Sequence, residues 1–514
     1  MDFETLGELI ACAGINTDII EEKLPPEDQS VYLTDANNIL IKNGKIEKLR
    51  GTDYLNSIST QLGETGYRTV IGMPIYQKNS GTKYLMAVTP TRLYYLKNDT
   101  EWYQLGIITG GVNDSILTHA KLLDKFVFTL SDSGIIYYWD GATYGTLFTD
   151  PDDLNRKARF IVPFKTYLFL LRTIESATEY HARIWRSWPG AITSFSDTDK
   201  LEIDAEGVIQ GGKVLEDDIV VYMDKSVQRV YFGGDYLGFI QAKVCDGAGL
   251  LAGKTLCGNK DAHFYLAAEG LMKFVRGDVP RSISDKKFNK LVLDQIDPVY
   301  YYRAAAHFYP HLNLLFLAYP KSGSSYNDTQ IIFDTSVNEL VSIKNLSEES
   351  YSAYGTFEKN LSGLSPDERK AWGLSFIPIF GNKDGYIKEQ QINAYQDGAN
   401  NYESNATWPG TFWKDKSRNK RVMQIDALVE KLTASPITFE VLLANEMNAT
   451  YAYNFEISGT GAAGVRRFEL RSDANDVPVD CLGKEFKVKF RDTSNPYGWR
   501  WHGLIFRGYF LGTK

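Results

Sequence analysis

Short apolar runs, each followed by a turn and then by an aromatic-rich second run, recur along the first 400 residues. Tyr84-Leu85-Met86-Ala87-Val88 is followed by Arg92-Leu93-Tyr94-Tyr95-Leu96. Phe126-Val127-Phe128-Thr129-Leu130 passes through Ser131-Asp132-Ser133-Gly134 into Ile135-Ile136-Tyr137-Tyr138-Trp139. Further copies begin near Tyr167, Ile219, Phe264 and Leu314, and a weaker one covers Ser375 to Ile387. Apolar runs this short, bounded by turn residues and rich in β-branched and aromatic side chains, read as buried strands. The copies start about 41 to 62 residues apart, near the spacing of propeller blades. One four-stranded sheet cannot bury both of its faces, whereas sheets stacked radially cover one another. The pattern therefore predicts an all-β chain built on a β-propeller. Six blades are counted, with seven as the alternative.

Two other regions frame the repeat. Residues 1–30 read as an irregular arm with a helical turn or two. A first hairpin follows, in which Ile39-Leu40-Ile41-Lys42 and Lys45-Ile46-Glu47-Lys48 flank Asn43-Gly44, the pair preferred in a type I′ turn. The repeat stops near Gln396-Asp397-Gly398-Ala399-Asn400-Asn401. Beyond a basic run from Lys414 to Arg421 come longer alternating strands: Val422 to Val429, Ile437 to Leu443, Tyr451 to Ile457, Val465 to Leu470, Phe486 to Phe490 and Leu504 to Phe510. They predict a C-terminal β-sandwich. The expected division is an arm (1–30), a propeller (31–400) and a sandwich (401–514).

Composition agrees with an all-β reading: of 514 residues 32 are Tyr, 27 Phe and 43 Gly. The net charge of −8 argues against gripping DNA by phosphate neutralisation. Charge is uneven, with 16 Lys+Arg against 13 Asp+Glu from Tyr402 onward and 40 against 51 before it. The cysteines Cys12, Cys245, Cys257 and Cys481 form no C-x-x-C pair, and so few do not make a disulfide scaffold. Leu9-Ile10-Ala11-Cys12 has the look of a lipoprotein cleavage site, but Asp2, Glu4 and Glu8 stand where a signal peptide carries Lys or Arg.

Chemistry-bearing patterns are few. Gly459-Thr460-Gly461-Ala462-Ala463-Gly464 spells G-x-G-x-x-G, yet Val465-Arg466-Arg467-Phe468-Glu469-Leu470 behind it alternates like a strand. A dinucleotide fingerprint needs a helix there, so a hairpin loop is the expectation. His307 and His311 are spaced like zinc ligands on a helix, but Pro310 lies between them. Ser131-Asp132-Ser133-Gly134 with Trp139 resembles part of a sialidase Asp-box, a turn-forming element. The run Lys414 to Arg421 reads as a solvated linker or a segment docked on an acidic neighbour. Catalytic, cofactor-binding and metal-binding residues are each expected to be none, and no cofactor is implied.

A further set of residues carries a resemblance. Gly14-Ile15-Asn16-Thr17-Asp18, Leu24-Pro25-Pro26, Asp35-Ala36-Asn37-Asn38, Asn43-Gly44-Lys45-Ile46 and Lys48-Leu49-Arg50-Gly51 open the chain. Later come Arg183-Ile184-Trp185-Arg186-Ser187-Trp188-Pro189-Gly190, Gly211-Gly212, Tyr222 to Val227 and Val230-Tyr231-Phe232-Gly233-Gly234. Tyr326-Asn327-Asp328, Ile331-Ile332-Phe333-Asp334 and Asn382-Lys383-Asp384-Gly385-Tyr386-Ile387 complete the series. In this order they resemble the nozzle, or packaged-DNA stabilisation, proteins of short-tailed bacteriophages. The likeness spans most of the first 400 residues; the C-terminal part departs from it.

The resemblance implies a six-bladed propeller in a homohexameric ring, a structural and non-enzymatic part of the virion tail made in the host bacterial cytoplasm. Its implied partners are other copies of itself, a portal adaptor protein, tail fibres or spikes, and double-stranded DNA that passes without specific binding. Membrane insertion by this chain alone is not implied. An acidic wall would let the like-charged genome pass. The alternative is a propeller glycosidase or receptor-binding module of the tail, which would place carboxylates at the mouth of the central channel.

Overall fold

In the computed structural model, the structure describes residues 3–9, 12–18, 31–148, 156–234, 238–346, 349–358, 376–391, 394–411, 417–432, 435–447, 449–457, 465–492 and 496–511. Seven antiparallel sheets follow one another along the chain. Blade 1 spans residues 75–107, blade 2 117–146, blade 3 156–202, blade 4 209–246, blade 5 257–282 and blade 6 305–345. Blade 7 takes three strands from 351–390 and its fourth from Thr52–Tyr54. The count is thus seven, not the six first counted. The weak copy near Ser375 is a full blade whose outer strand comes from the other end of the sequence.

The repeated apolar runs are the second strands of the blades. Asp218–Met223 is buried at every position, and Ala262–Ala267 at all but the first. Side chains alternate between the two faces of a strand, so each run feeds two inter-blade cores. In blade 4, Ile219, Val221 and Met223 pack with blade 3, while Val220 and Tyr222 pack with blade 5. In blade 2, Phe126 and Phe128 meet blade 1 through Met86 and Val88, and Val127 meets blade 3 through Leu168 and Leu170. Outer strands such as Glu101–Ile107 carry exposed and half-buried side chains.

The sandwich is larger than the C-terminal segment. One of its sheets runs Val465–Leu470, Asn419–Lys431, Trp499–Leu511, Lys45–Lys48, Ile39–Lys42, with Glu4–Leu9 added on Trp499–Leu511 and Cys481–Gly483 on Asn419–Lys431. The other runs Thr450–Ile457, Ile437–Asn445, Phe486–Asp492, Ser404–Thr411, Asp35–Asn37. Residues 35–48 therefore belong to the sandwich and not to a propeller beginning at residue 31. The first 30 residues are not simply an irregular arm: Glu4–Leu9 is a sandwich strand, and Gly14–Ile15 pairs with the outer strand of blade 6. The reason is edge pairing: an apolar strand gains most where an open sheet edge offers it a ladder. The Asn43-Gly44 turn is as expected, with both residues at positive φ. Leu24-Pro25-Pro26, Gly459 to Gly464 and Lys414 to Lys416 lie outside the described residues.

The chain passes between the sandwich and blade 7 twice, side by side. Gly51 donates its N–H to Ala394 O at 3.0 Å and accepts from Gln391 N at 2.8 Å. A Cβ at Gly51 would fall 1.7 Å from Gln396 O, so only glycine permits this approach. On the sandwich side, Lys48 donates to Asp492 at 2.8 Å and to Tyr402 O at 3.2 Å, and the Trp499 indole donates to the same carboxylate oxygen at 2.8 Å. Lys48 and Asp492 have no exposed side-chain surface. On the propeller side, the Thr52 N–H and hydroxyl both reach Asp397, which also pairs with Lys344 at 2.9 Å. Glu349 accepts from Thr52 and pairs with Lys388. Burial pushes the Glu349 carboxyl up, but Lys344 and Lys388 outweigh it and hold it below its usual range.

Removing one partner of a buried ion pair strands the other charge, at a cost of about 3–5 kcal/mol. Lys48→Met should lower stability by about that amount, and the Lys48→Met/Asp492→Leu double variant should recover part of it. Denaturant midpoints read by tryptophan fluorescence check both; equal losses in the two variants would show that the charge pairing contributes little.

Candidate functional site in the propeller lumen

The inner strands of blades 2 to 6 enclose a cavity of about 480 Å³ on the propeller axis. Glycines in blade 4 let the strands close around it: a Cβ at Gly212 would sit 2.7 Å from Leu171 Cδ2 of blade 3. Its polar side chains are Thr118 and His119 from blade 2, Gln210 and Lys213 from blade 4, Asn259 and Lys260 from blade 5 and His307 from blade 6. Among the described residues that line it, there is no Asp or Glu. The acidic passage expected from the net charge is therefore not this lumen, and the lining lacks the carboxylates that a glycosidase reading asks for.

His119 is exposed to the lumen, and Lys213 and His307 are half-buried. Desolvation by the strands crowded around the lumen, helped by the Lys213 charge, brings His119 and His307 down to about 4, so both are neutral at pH 7. Desolvation also lowers Lys213. It pushes the Cys257 thiol up to about 12, against the pull of Lys213, so Cys257 remains a thiol. Behind the wall, fully buried His263 contacts Tyr222 Oη through Nδ1 at 2.8 Å and Val214 O through Nε2 at 3.0 Å. A carbonyl can only accept, so Nε2 carries the proton and Nδ1 accepts from the tyrosine. Desolvation holds this imidazole at about 3.

One end of the axis is closed by charged groups on loops that lead into the inner strands. Asp114, just before blade 2, takes two hydrogen bonds from Arg303, just before blade 6, at 2.7 and 2.9 Å. Tyr300 and Tyr326 lie 4.8 and 4.9 Å from the guanidinium. Lys254, just before blade 5, donates to Asn113 O at 3.4 Å, and desolvation brings it to about 8 although Asp114 opposes the shift. A bidentate pair 189 residues apart in sequence thus bridges two blades across the axis.

The patterns singled out in the sequence are distributed differently. His307 is in a strand, Ala305–Tyr309, and lines the lumen, whereas His311 sits in the following turn and contacts Phe376 O at 3.2 Å. Groups of three or more His, Cys, Asp or Glu able to hold a metal are absent among the described residues. The Asp-box-like turn is structural: Asp132 accepts from Ser115 at 2.8 Å, Gly134 has φ 65°, and buried Trp139 packs on Tyr84 and Tyr95. Cys245 and Cys257 are free thiols. Of the basic run, Arg421 pairs with Asp480 at 2.7 Å, and Lys420 is buried and donates to Lys484 O at 2.8 Å. Val465–Leu470 is a strand, as expected, but it pairs with Asn419–Lys431 whereas Thr450–Ile457 before it pairs with Ile437–Asn445 in the other sheet, so the two strands do not form the expected hairpin. Lys213 and the Asp114–Arg303 bridge were missed. The signal for Lys213, a lone lysine after Gly211-Gly212 in an otherwise uncharged inner strand, is legible only once the blade register is known.

No protein-family model and no curated protein matches the chain. Solved structures do. A catalytically inactive virginiamycin B lyase from Staphylococcus aureus with quinupristin aligns at TM-score 0.40 and 12% identity, over 64% of this chain and 97% of that one. The Pan2 WD40 domain of Neurospora crassa aligns at TM-score 0.39 and 8% identity, over 68% and 97%. The propeller assignment rests on the strand order and closure described above.

Imidazoles that stay neutral in the fold but take a proton near pH 6.5 when unfolded give the unfolded state more protons between about pH 4 and 6.5. Stability should therefore fall as pH drops through that window. Calorimetry in phosphate-free buffer from pH 7 to 4.5 should show a decline in Tm that is shallower in His119→Gln/His307→Gln. An identical slope in the two proteins would refute the assignment of neutral lumen histidines.

Proposed function

We propose that this β-propeller chain is a structural subunit of a short-tailed bacteriophage tail, of the nozzle type, acting through geometry and assembly. The observation that carries the reading is where the family-like motifs fall. Lys48-Leu49-Arg50-Gly51 carries the chain from the sandwich into the strand that closes blade 7. Asp18, closing Gly14 to Asp18, accepts from the N–H of Asn289 at 3.0 Å and so ties the amino-terminal segment to the stretch between blades 5 and 6. Asn327 donates to Arg303 O and Tyr351 O, and Asn382 accepts from Asp384 and Tyr386 N–H to shape the blade 7 turn. These contacts hold the amino-terminal segment, blades 6 and 7 and the sandwich-to-propeller link in one conformation, as a ring-forming wall element requires.

On this reading the DNA path lies between copies, since the lumen of one propeller is small and bridged at one end. The net charge of −8 then acts at the ring axis, where like charge keeps phosphate from sticking. The sandwich offers a second body for adaptor, fibre or spike contacts.

Native mass spectrometry of the full chain, alone and with a portal adaptor protein, tests the proposal. A closed ring of six copies, and the chain's presence in purified tails, are the expected results. A protein that stays monomeric under both conditions and is absent from tails would overturn it.

A further inference from the structure

The lumen contains polar groups that the fold itself leaves without partners. Among the described residues, the side chains of Lys213, His119 and His307 have no hydrogen-bond or ion-pair partner in the protein, and they line the lumen exposed (His119) or half-buried (Lys213, His307). A cation on the wall of a cavity whose lining holds no carboxylate among the described residues makes the space favourable for an anion. The groups around Lys213 do not provide one. Cys257 stays a thiol, and His119, His263 and His307 each feel Lys213 as a like charge. His311, beyond His307, is a further nitrogen base.

The nearby carboxylates are engaged elsewhere. Asp261 accepts from the Asn259 side chain at 3.1 Å at the rim, Glu216 pairs with Arg276 at 2.8 Å on the outside, and Asp114 is held by Arg303. At the blade-turn end, exposed Lys260 adds a second cation next to the lumen.

We propose that the propeller lumen is a binding site for a small ligand bearing an oxyanion, a phosphate or a carboxylate. Lys213 of blade 4 is its cationic anchor, and His119 and His307, from blades 2 and 6, are hydrogen-bond donors. The cavity of about 480 Å³ falls within the range of small-molecule sites, so the oxyanion is one group of a larger ligand or shares the space with water. Neutral imidazoles donate one N–H each, and the ammonium donates three. Entry is from the blade-turn end, because the Asp114–Arg303 bridge spans the other. The site concerns the isolated propeller and does not depend on the tail assignment, so either can fail alone.

With only six histidines in the chain, their ring C–H signals are resolvable by NMR on the full-length protein. Inorganic phosphate, acetate and chloride are titrated separately at matched ionic strength. Phosphate or acetate should shift two histidine resonances saturably, and the anion should raise the pKa of those two rings from about 4, since it favours the imidazolium. Loss of one signal each in His119→Gln and His307→Gln assigns them. The more effective of the two probes identifies the phosphate or the carboxylate as the source.

Lys213→Met should weaken the response at least tenfold, while Lys213→Arg should keep it. If Lys213→Met does not fold, the wild-type titration still decides. Shifts no larger with phosphate and acetate than with chloride, or shifts confined to other histidines, would mean a water-filled lumen and overturn the proposal.

Discussion

Closure of the ring by Thr52–Tyr54 is the constraint on which the other features depend. A propeller is stable only when its last sheet is completed, since an unfinished blade leaves an open ladder edge and an uncovered apolar face. Here the completing strand is the three residues that leave the sandwich, pairing with Ile387–Gln390 in register Thr52 to Gln390. So short a strand gains little from its own ladder. Its position is fixed instead by side-chain bonds from Thr52 to Asp397 and Glu349, and by Lys48 locked on Asp492 four residues earlier. The closure of one body is thereby a property of the other. Such buried ion pairs are weak sources of net stability, but mismatching them is expensive, so they suit a joint that must take one geometry.

The hydrophobic pattern made the blades legible because the second strand of each is covered on both faces. A run such as Ile219 to Met223 has to be apolar throughout. The sandwich strands were legible for the complementary reason: Ile437–Asn445 alternates buried and partly exposed positions, and such period-two patterns survive in sequence. What the pattern hides is partnership. Nothing local to Thr52–Tyr54 says that its ladder partner lies more than 330 residues away, and nothing in Asp35–Asn37 announces Ser404–Thr411 as its neighbour. Such non-local pairings turned an expected arm into sandwich strands and an expected six blades into seven.

The lumen was hidden in the same way. The inner strands of blades 2, 4 and 6 each contribute one or two polar residues that look unremarkable within their own segment, and only the radial arrangement brings Lys213, His119 and His307 to one cavity. The histidine spacing that drew notice to His307 pointed to a helix. In the strand that forms, Ala305–Tyr309, His307 faces the lumen while His311 lies beyond the strand's end. The proposed structural role and a ligand-binding lumen are compatible, since the axis of one propeller and the axis of the proposed ring would be different places.

Native-state hydrogen exchange on the full chain addresses the joint itself. If the sandwich and the ring closure form one cooperative unit, the slow amides of Ile387–Gln390 and those of Asn419–Lys431 should open with the same free energy. They should also respond in parallel to added denaturant. Blade 7 amides that open at much lower free energy while the sandwich remains protected would contradict the account, because the ring would then close without help from the domain that carries its final strand.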